Sequence, residues 1–253
     1  MRHLPILAAV ALLFAGCQIP TMTAQVGYAR LAVDGDIGYV SGSTSGSISQ
    51  DVESAFGLGD NQGSPYGRAV LDTGVQVFSV SAFALSDEGT GVLEANFGDS
   101  GLLLANTPVR SELDLFNVKG AYAFEIPIGP VSISPGIALY YFDLDLEVSD
   151  LIGITTERVE LNAPLPLAFL RAEVAVGPVS AVAEVGYIDV DIEDVAAKFL
   201  DIEAMLVVQP FPLLQLFVGY RSLNLEAQGL IDGDAFDTDL RISGFLIGGG
   251  LRF

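Results

Sequence analysis

The sequence predicts an all-β fold, a closed antiparallel up-and-down transmembrane β-barrel. The chain is strongly apolar, with 51% hydrophobic residues and a mean hydropathy of +0.50. Beyond the N-terminus, however, it has no uncharged apolar run of about 18 residues, which excludes a bundle of transmembrane helices. From Ala29 onward the apolar residues alternate with Asp, Glu, Ser and Gly, which is the period of a strand. A large soluble β-sandwich is the alternative that shares this alternation.

The alternating segments number about ten, although eight or twelve strands also fit the pattern. A tilted spanning strand needs about 9–11 residues, and only the second segment falls short. Tight turns containing Pro or Gly, such as 177–178 and 210–212, alternate with longer connections such as 41–65 and 228–235. That alternation is typical of transmembrane barrels. The predicted strands are 29–40, 66–72, 75–86, 110–126, 131–148, 157–176, 179–192, 197–209, 213–227 and 236–253.

The N-terminus predicts export. Arg2 precedes an apolar run from Leu4 to Phe14, which has the length of a signal-peptide core and is too short to span a membrane. Cys17 follows small residues, as in a bacterial lipoprotein, and is a candidate for lipidation. Ordinary cleavage between residues 15 and 24 is the alternative. We therefore expect a signal peptide at 1–16, an N-terminal periplasmic segment at 17–28 and a barrel at 29–253.

The C-terminal strand carries the most specific motif. Alternate positions of this strand are apolar or Gly, and the last of them is Phe253. Leu251 and Phe253 resemble the terminal signal that the β-barrel assembly machinery recognises. With the segment 163–166 (APLP) and the repeated strand–turn–strand layout, the chain resembles small, porin-like outer-membrane β-barrel proteins of Gram-negative bacteria. The resemblance implies location in the cell outer membrane, with outer-membrane lipid, lipopolysaccharide and the assembly machinery as partners.

Two strands change their apolar face near a tyrosine. Ala183, Val185 and Tyr187 share one face, and Ile188 and Val190 then continue the apolar pattern on the other. One inserted residue would cause this change, so we predict β-bulges near Tyr187 and near Tyr220. The alternative is that the lower lumen is packed with apolar side chains, so that no inserted residue is needed.

Charge and composition exclude several functions. The net charge is −21, with 32 acidic and 11 basic residues, so nucleic acid is not an expected partner because phosphate contacts need Lys and Arg. The single His, His3, lies in the signal peptide, so the exported chain lacks the side chain best suited to proton transfer near neutral pH. We expect no enzymatic activity and no cofactor.

Alternation also assigns charged residues to the barrel lumen, where opposite charges would pair. Barrels of about ten strands are filled by their side chains, whereas wide channels need about 16 strands or more. We therefore expect a filled lumen, with a narrow cation-preferring pore as the alternative. The predicted lumen charges are Glu112, Lys119, Glu125, Arg171, Glu173, Glu184, Asp201, Glu203, Arg221, Arg241 and, at the last strand, Arg252.

Acidic residues cluster at strand ends that we place outside the cell, and carboxylates suit Mg²⁺ and Ca²⁺. The simpler interpretation is that these acids form a solvated rim of the barrel. The more specific hypothesis is that this rim binds lipopolysaccharide phosphates through Mg²⁺ or Ca²⁺. The segment 232–239 offers a weak metal-site pattern without EF-hand spacing. Its candidate ligands are Asp232, Asp234, Asp237 and Asp239.

The expected function is therefore a structural or interaction role for an outer-membrane barrel with a filled or narrow lumen. A narrow passive pore or transporter for small solutes is one alternative. A soluble secreted β-protein that binds a ligand is the other.

Overall fold

The computed structural model describes residues 20–40, 49–98, 102–192, 195–231 and 234–253. The predicted signal peptide and Cys17 lie outside these residues. Within them, no helix is long and apolar enough to cross a membrane.

The described chain forms twelve strands and one short helix, and ten of the strands are long. The elements are β1 (Thr21–Val40), β2 (Gln50–Asp51), α1 (Val52–Phe56), β3 (Gln62–Asp72), β4 (Gln76–Val92), β5 (Pro108–Phe124), β6 (Ile126–Ile128), β7 (Val131–Asp150), β8 (Thr156–Val176), β9 (Val179–Ile192), β10 (Val195–Phe211), β11 (Leu214–Ile231) and β12 (Asp234–Arg252).

The ten long strands close into one antiparallel barrel. Each pairs with the next long strand along the chain, and β12 pairs with β1 from Thr23–Arg252 to Val40–Ala235. Two backbone hydrogen bonds between Met22 and Phe253, of 3.1 and 2.8 Å, extend this last ladder by one more pair. The predicted fold class and the strand count of ten are confirmed. Residues 21–28, which we had expected in a periplasmic segment, are instead part of the wall.

The start of β1 and the end of β12 lie at the end of the barrel that has the tight turns, at 73–75, 129–130, 177–178 and 212–213. In transmembrane barrels this end faces the periplasm, and the longer connections face outside. Only two residues separate β9 from β10 and two separate β11 from β12. The long connection expected at 228–235 is therefore wrong, because β11 extends to Ile231 and β12 begins at Asp234.

Side chains alternate between an apolar outer belt and the lumen, as the sequence predicts. On β10, Ile202 and Leu206 are exposed on the outer face, whereas Asp201, Glu203 and Met205 are buried inside. The belt occupies the periplasmic half of the strands. Its upper edge carries aromatic residues, which favour a membrane–water interface. These residues are Tyr28, Phe116, Tyr141, Tyr187, Tyr220 and Phe245.

The lumen of the extracellular half is an apolar core rather than a channel. Leu144, Leu146, Val148, Leu223 and Leu240 point into it and are 7% exposed or less. This core explains why the apolar pattern moves from the outer face to the lumen face along β9 and β11. The β9–β10 ladder runs without a register shift through Tyr187, where the β8–β9 ladder ends, and both ladders of β11 run unbroken through Tyr220. The predicted bulges are therefore wrong. Apolar side chains do pack the lumen, but in its extracellular half rather than in the lower lumen.

Candidate functional site

Six strands contribute charged side chains to a compact network in the lumen. Their residues alternate with lipid-facing neighbours such as Ile202 and Tyr220, so the network lies at the level of the outer belt. We call this set the lumen network. It comprises Arg68 on β3, Lys119 on β5, Arg171 on β8, Glu184 on β9, Asp201 and Glu203 on β10, and Arg221 on β11.

Glu184 is the most connected acid of the network. Its carboxylate accepts hydrogen bonds from Lys119 Nζ at 3.0 Å and from Arg171 Nη1 at 2.8 Å, and it also pairs with the guanidinium of Arg68. The side chain of Glu184 is 1% exposed. Three cations from three different strands therefore converge on one buried carboxylate.

Asp201 and Glu203 hold the other side of the network. Asp201 accepts from Lys119 Nζ at 3.0 Å and from Arg221 Nε at 3.0 Å, and the hydroxyl of Tyr140 donates to it as well. Glu203 pairs with Arg68 and accepts a 3.1 Å hydrogen bond from the hydroxyl of Tyr66. Each carboxylate thus has both a cationic and a phenolic partner, which offsets much of the cost of desolvating it.

Arg221 contacts both acids of β10, Asp201 and Glu203. Its Nη1 is 3.6 Å from Glu203 Oε2, its Nη2 donates to Asn117 Oδ1 at 3.3 Å, and its guanidinium lies 5.0 Å from the ring centre of Phe83. An arginine supports this arrangement because its planar guanidinium can donate in several directions and also pack on a ring.

The lumen network is balanced in charge. It has four cations and three buried carboxylates, and Glu173 supplies a fourth carboxylate through a 2.6 Å contact with Arg171 Nη2. Apart from Arg171 and Glu173, the ion-paired side chains of the network are 2% exposed or less. The network therefore forms a dry, neutral layer across the lumen.

A polar vestibule lies between this layer and the periplasm. Its volume is ≈ 520 Å³, including the space that opens to solvent, and it is bounded at its inner end by Arg68 and Arg171. Gln25 donates to Gln215 across it at 3.3 Å. The vestibule therefore adjoins the lumen network on its periplasmic side.

The opposite end is closed by a folded plug made of 49–61 and 93–98. The ring centres of Phe56 on α1 and Phe97 lie 5.2 Å apart, and both side chains are fully buried. A Cβ atom on Gly91 of β4 would lie 2.2 Å from the carbonyl oxygen of Ala55. Glycine is therefore required there, because the backbone of the plug packs directly on the wall.

The structure places most predicted lumen charges as the sequence suggested. Lys119, Arg171, Glu184, Asp201, Glu203 and Arg221 join the network, and Glu173 and Arg252 line the vestibule. Glu125 is half-buried in the turn after β5. Arg68, Tyr66 and Tyr140 were missed. Arg68 lies on the strand that appeared too short, although its alternation with Tyr66 and Ser64 was a usable signal.

Two predicted lumen positions are wrong. Glu112 and Arg241 lie on the outer face, and Glu112 pairs there with Arg110 at 3.4 Å. Glu112 and Lys119 are an odd number of residues apart on β5, so an unbroken strand cannot direct both inward. Arg241 cannot face the lumen either, because its neighbours Leu240 and Ile242 on β12 are buried there and successive side chains of a strand alternate between faces.

The outer face above the belt is acidic. Asp114 lies directly opposite Asp145, Glu112 opposite Glu147, and Asp145 opposite Glu160. Like charges at directly opposed positions destabilise a sheet. Arg110 and Arg158 relieve part of this repulsion through exposed ion pairs.

The predicted metal residues do not form a recognisable site in the part of the chain that the structure covers. Asp232 lies outside the described residues, and β12 begins at Asp234. Asp237 and Asp239 lie opposite Gln228 and Glu226 on β11. Among the described residues, no group of three or more His, Cys, Asp or Glu could hold a metal ion.

No protein-family model matches the chain, and no curated relative matches it. Among solved structures, the outer membrane protease OmpT of Escherichia coli aligns over 92% of this chain and 96% of its own, with a TM-score of 0.52 and 9% identity. The attachment invasion locus protein Ail of Yersinia pestis aligns over 93% of this chain and 100% of its own, with a TM-score of 0.39 and 12% identity. The Pseudomonas putida toluene transporter TodX aligns over 95% and 90%, with a TM-score of 0.30 and 9% identity.

At these identities the similarity concerns the fold and transfers no activity. The OmpT alignment nevertheless spans almost the whole of both chains, and it agrees with the closed wall and the apolar belt of this chain. The chain therefore shares the fold of an outer-membrane β-barrel protein.

Proposed function

We propose that this chain is a structural or interaction barrel of the outer membrane, closed to ions and solutes and presenting an acidic outer surface. The observation that carries the proposal is the lumen network. At the level of the lipid belt, each of the three buried carboxylates, Glu184, Asp201 and Glu203, is paired with cations from other strands. The plug then covers the apolar core on the extracellular side.

The energetics of the network support a closed lumen. A permeating ion would have to displace buried ion pairs, and breaking one such pair costs about 3–5 kcal/mol. It would then have to cross the apolar core, where an unpaired charge is costlier still. The alternative, a narrow pore, needs a continuous aqueous path through the barrel, and the vestibule is bounded by Arg68 and Arg171.

The extracellular part supports an interaction role. The strands continue beyond the aromatic edge of the belt and carry their acids on the outer face. At the β7–β8 connection, Leu151, Ile152 and Ile154 are 60%, 78% and 79% exposed. Apolar groups grouped at an exposed loop tip are a common feature of contact surfaces between proteins.

The acidic face supports a further part of the proposal, that divalent cations bridge it to lipopolysaccharide phosphates. Opposed acids such as Asp114 and Asp145 would be stabilised by a bound cation in addition to the ion pair between Asp145 and Arg158, because carboxylates are hard oxygen ligands. Unfolding temperature in lipopolysaccharide-containing membranes, measured with and without EDTA, tests this part. No change on adding EDTA would reject it.

Planar-bilayer recording tests the closed lumen. The wild-type barrel is expected to insert without conductance steps in molar KCl. A double variant, Lys119→Ala with Glu184→Ala, removes one cation and one anion of the network and serves as the matched control, because it keeps the charge balance while opening space. Reproducible cation-selective steps from the wild type, equal to those of the double variant, would support the pore alternative instead.

A further inference from the structure

The barrel wall is incomplete between β8 and β9. Their ladder ends at Ala168 opposite Tyr187. Above that point β8 continues to Thr156 and pairs with β7, and β9 continues to Ile192 and pairs with β10. Two strand edges therefore face each other unpaired in the extracellular half, and we call the space between them the lateral gap.

The sequence of β8 explains why the ladder stops. Pro164 and Pro166 lack N–H donors and lie at alternate positions, so the same strand edge loses both donors. The pairing with β7 continues past both prolines, to Tyr141 and Leu139. The edge that lacks donors is therefore the one that faces β9.

The lateral gap is lined by apolar side chains that are only partly covered. Val159, Leu165 and Ile188 pack against the apolar core but remain half-exposed, and Leu161 is 36% exposed. On the neighbouring strand β7, the lumen-facing Leu146 is fully buried. The difference arises because these side chains of β8 and β9 lack the wall that covers their equivalents.

A second break in the wall shows what a covered gap looks like. The β3–β4 ladder ends at Tyr66 opposite Phe83, but there the plug occupies the space. Asp87 on β4 accepts hydrogen bonds from Gly59 N–H at 2.8 Å and from Gln62 Nε2 at 2.7 Å. At the extracellular end of β8, Gly98 of the plug lies against the side chain of Glu157, whereas Leu165 and Ile188 lie lower on their strands and remain half-exposed.

The position of the lateral gap indicates what covers it. It begins at Tyr187, on the aromatic edge that marks the membrane–water interface, so the lower end of its apolar lining, beside Ile188, lies where lipid acyl chains meet the glycerol backbone. A partner strand would need donors that Pro164 and Pro166 lack. We propose that the acyl chain of a neighbouring outer-membrane lipid enters the lateral gap and covers Leu165 and Ile188.

This proposal rests on the membrane location that the proposed function also assumes, but not on the closed lumen. A conductance measurement therefore leaves it unaffected. Its consequence is that apolar residues on the lumen side of β8 and β9 contact lipid hydrocarbon, which an intact barrel wall would prevent.

Single-tryptophan variants test the proposal cleanly because the chain has no Trp. Leu165→Trp and Ile188→Trp place the reporter in the lateral gap. Leu170→Trp on the lipid face of β8 and Phe169→Trp on its lumen face, where the wall is closed, are the matched controls. Each full-length variant is reconstituted in phosphatidylcholine–phosphatidylglycerol vesicles whose acyl chains carry bromine near the glycerol end, and folding is checked by heat-modifiable migration.

The two gap reporters are expected to be quenched by brominated chains to within about twofold of L170W, whereas F169W stays largely unquenched. Quenching of both gap reporters at the level of F169W would overturn the proposal. So would quenching by aqueous iodide in place of bromine, which would show a water-filled gap. Protection from both quenchers together with dimers in sedimentation would assign the gap to a second copy of the chain and also reject it.

Discussion

Neutralising Glu184 is the most informative perturbation of the barrel. Glu184→Gln keeps the size and one acceptor oxygen of the side chain but removes the charge on which Arg68, Lys119 and Arg171 converge. Asp201 and Glu203 would remain as carboxylate partners for Lys119 and Arg68. Arg171 would retain only Glu173, whose side chain is 30% exposed.

The size of the expected effect follows from this burial. Removing one partner of a buried ion pair costs about 3–5 kcal/mol, because the remaining charge stays desolvated. That corresponds to roughly a hundredfold to a few thousandfold in the unfolding equilibrium. Glu226→Gln is the control, because its ion pair with Lys198 at 3.2 Å is about half-exposed and such pairs contribute about 0–1 kcal/mol.

The assay is equilibrium urea unfolding of the two variants in lipid vesicles, followed by tyrosine fluorescence and by heat-modifiable migration. A double variant, Lys119→Met with Glu184→Gln, restores the balance of charge and is expected to recover part of the lost stability. Lys119→Met alone completes a double-mutant cycle, and the coupling measured by this cycle isolates the pair from other effects of each substitution. The reasoning is refuted if E184Q and E226Q lose equal stability.

Three further predictions concern the plug and the closing strand. Phe56→Ala is expected to leave the barrel folded but to make 49–61 sensitive to protease, because losing a buried Phe costs about 3–5 kcal/mol; unchanged digestion would contradict the packing with Phe97. Hydrogen bonds from the Ser54 backbone N–H and hydroxyl lower the pKa of Asp51 at the N-cap of α1. The ionised Asp51 therefore stabilises α1 fully above the carboxyl pKa of the unfolded chain, about 3.9, and this stabilisation is lost as the pH falls through the lower pKa of the folded state. Amide exchange in α1 should therefore rise on acidification, and Asp51→Asn should remove that pH dependence while keeping the cap. Phe253→Ala should lower the yield of inserted barrel in membrane fractions, whereas Phe245→Ala on the same face should not.

The strands were the most predictable part of the molecule. An alternation that persists over 14–21 residues leaves little freedom once one face must meet lipid. The start of β1 was missed even though Met22, Val26 and Tyr28 are outward-facing and exposed. These residues follow the signal-peptide region directly, so the sequence alone does not distinguish the start of a strand from a periplasmic segment.

The contents of the lumen were only partly predictable. Alternation places a charge on one face of a strand, but its partners come from strands far away in sequence; Arg68 and Glu203, for example, are separated by 135 positions. The sequence also does not show that the charged layer lies at belt level while an apolar core fills the other half. Without knowledge of these two layers of the lumen, the apolar residues on the lumen face of β9 suggest a β-bulge near Tyr187.

The plug and the lateral gap had local signals that we did not use. Asp51, Ser54 and Gly57 form an N-cap and a left-handed C-cap around a single helical turn, within a segment interpreted as loop. Pro164 and Pro166 of β8 also mark a strand edge that lacks backbone N–H donors. Both features depend on tertiary context, since one turn of helix is unstable alone.

Closure of the sheet at the level of the outer membrane is the claim on which the rest depends. Envelope fractionation combined with gel migration of unheated and boiled samples tests it most directly. The account predicts that the chain is recovered with the outer membrane and migrates faster before boiling than after, as a compact closed barrel does. Recovery in the soluble periplasmic fraction, with one mobility under both conditions, would contradict it.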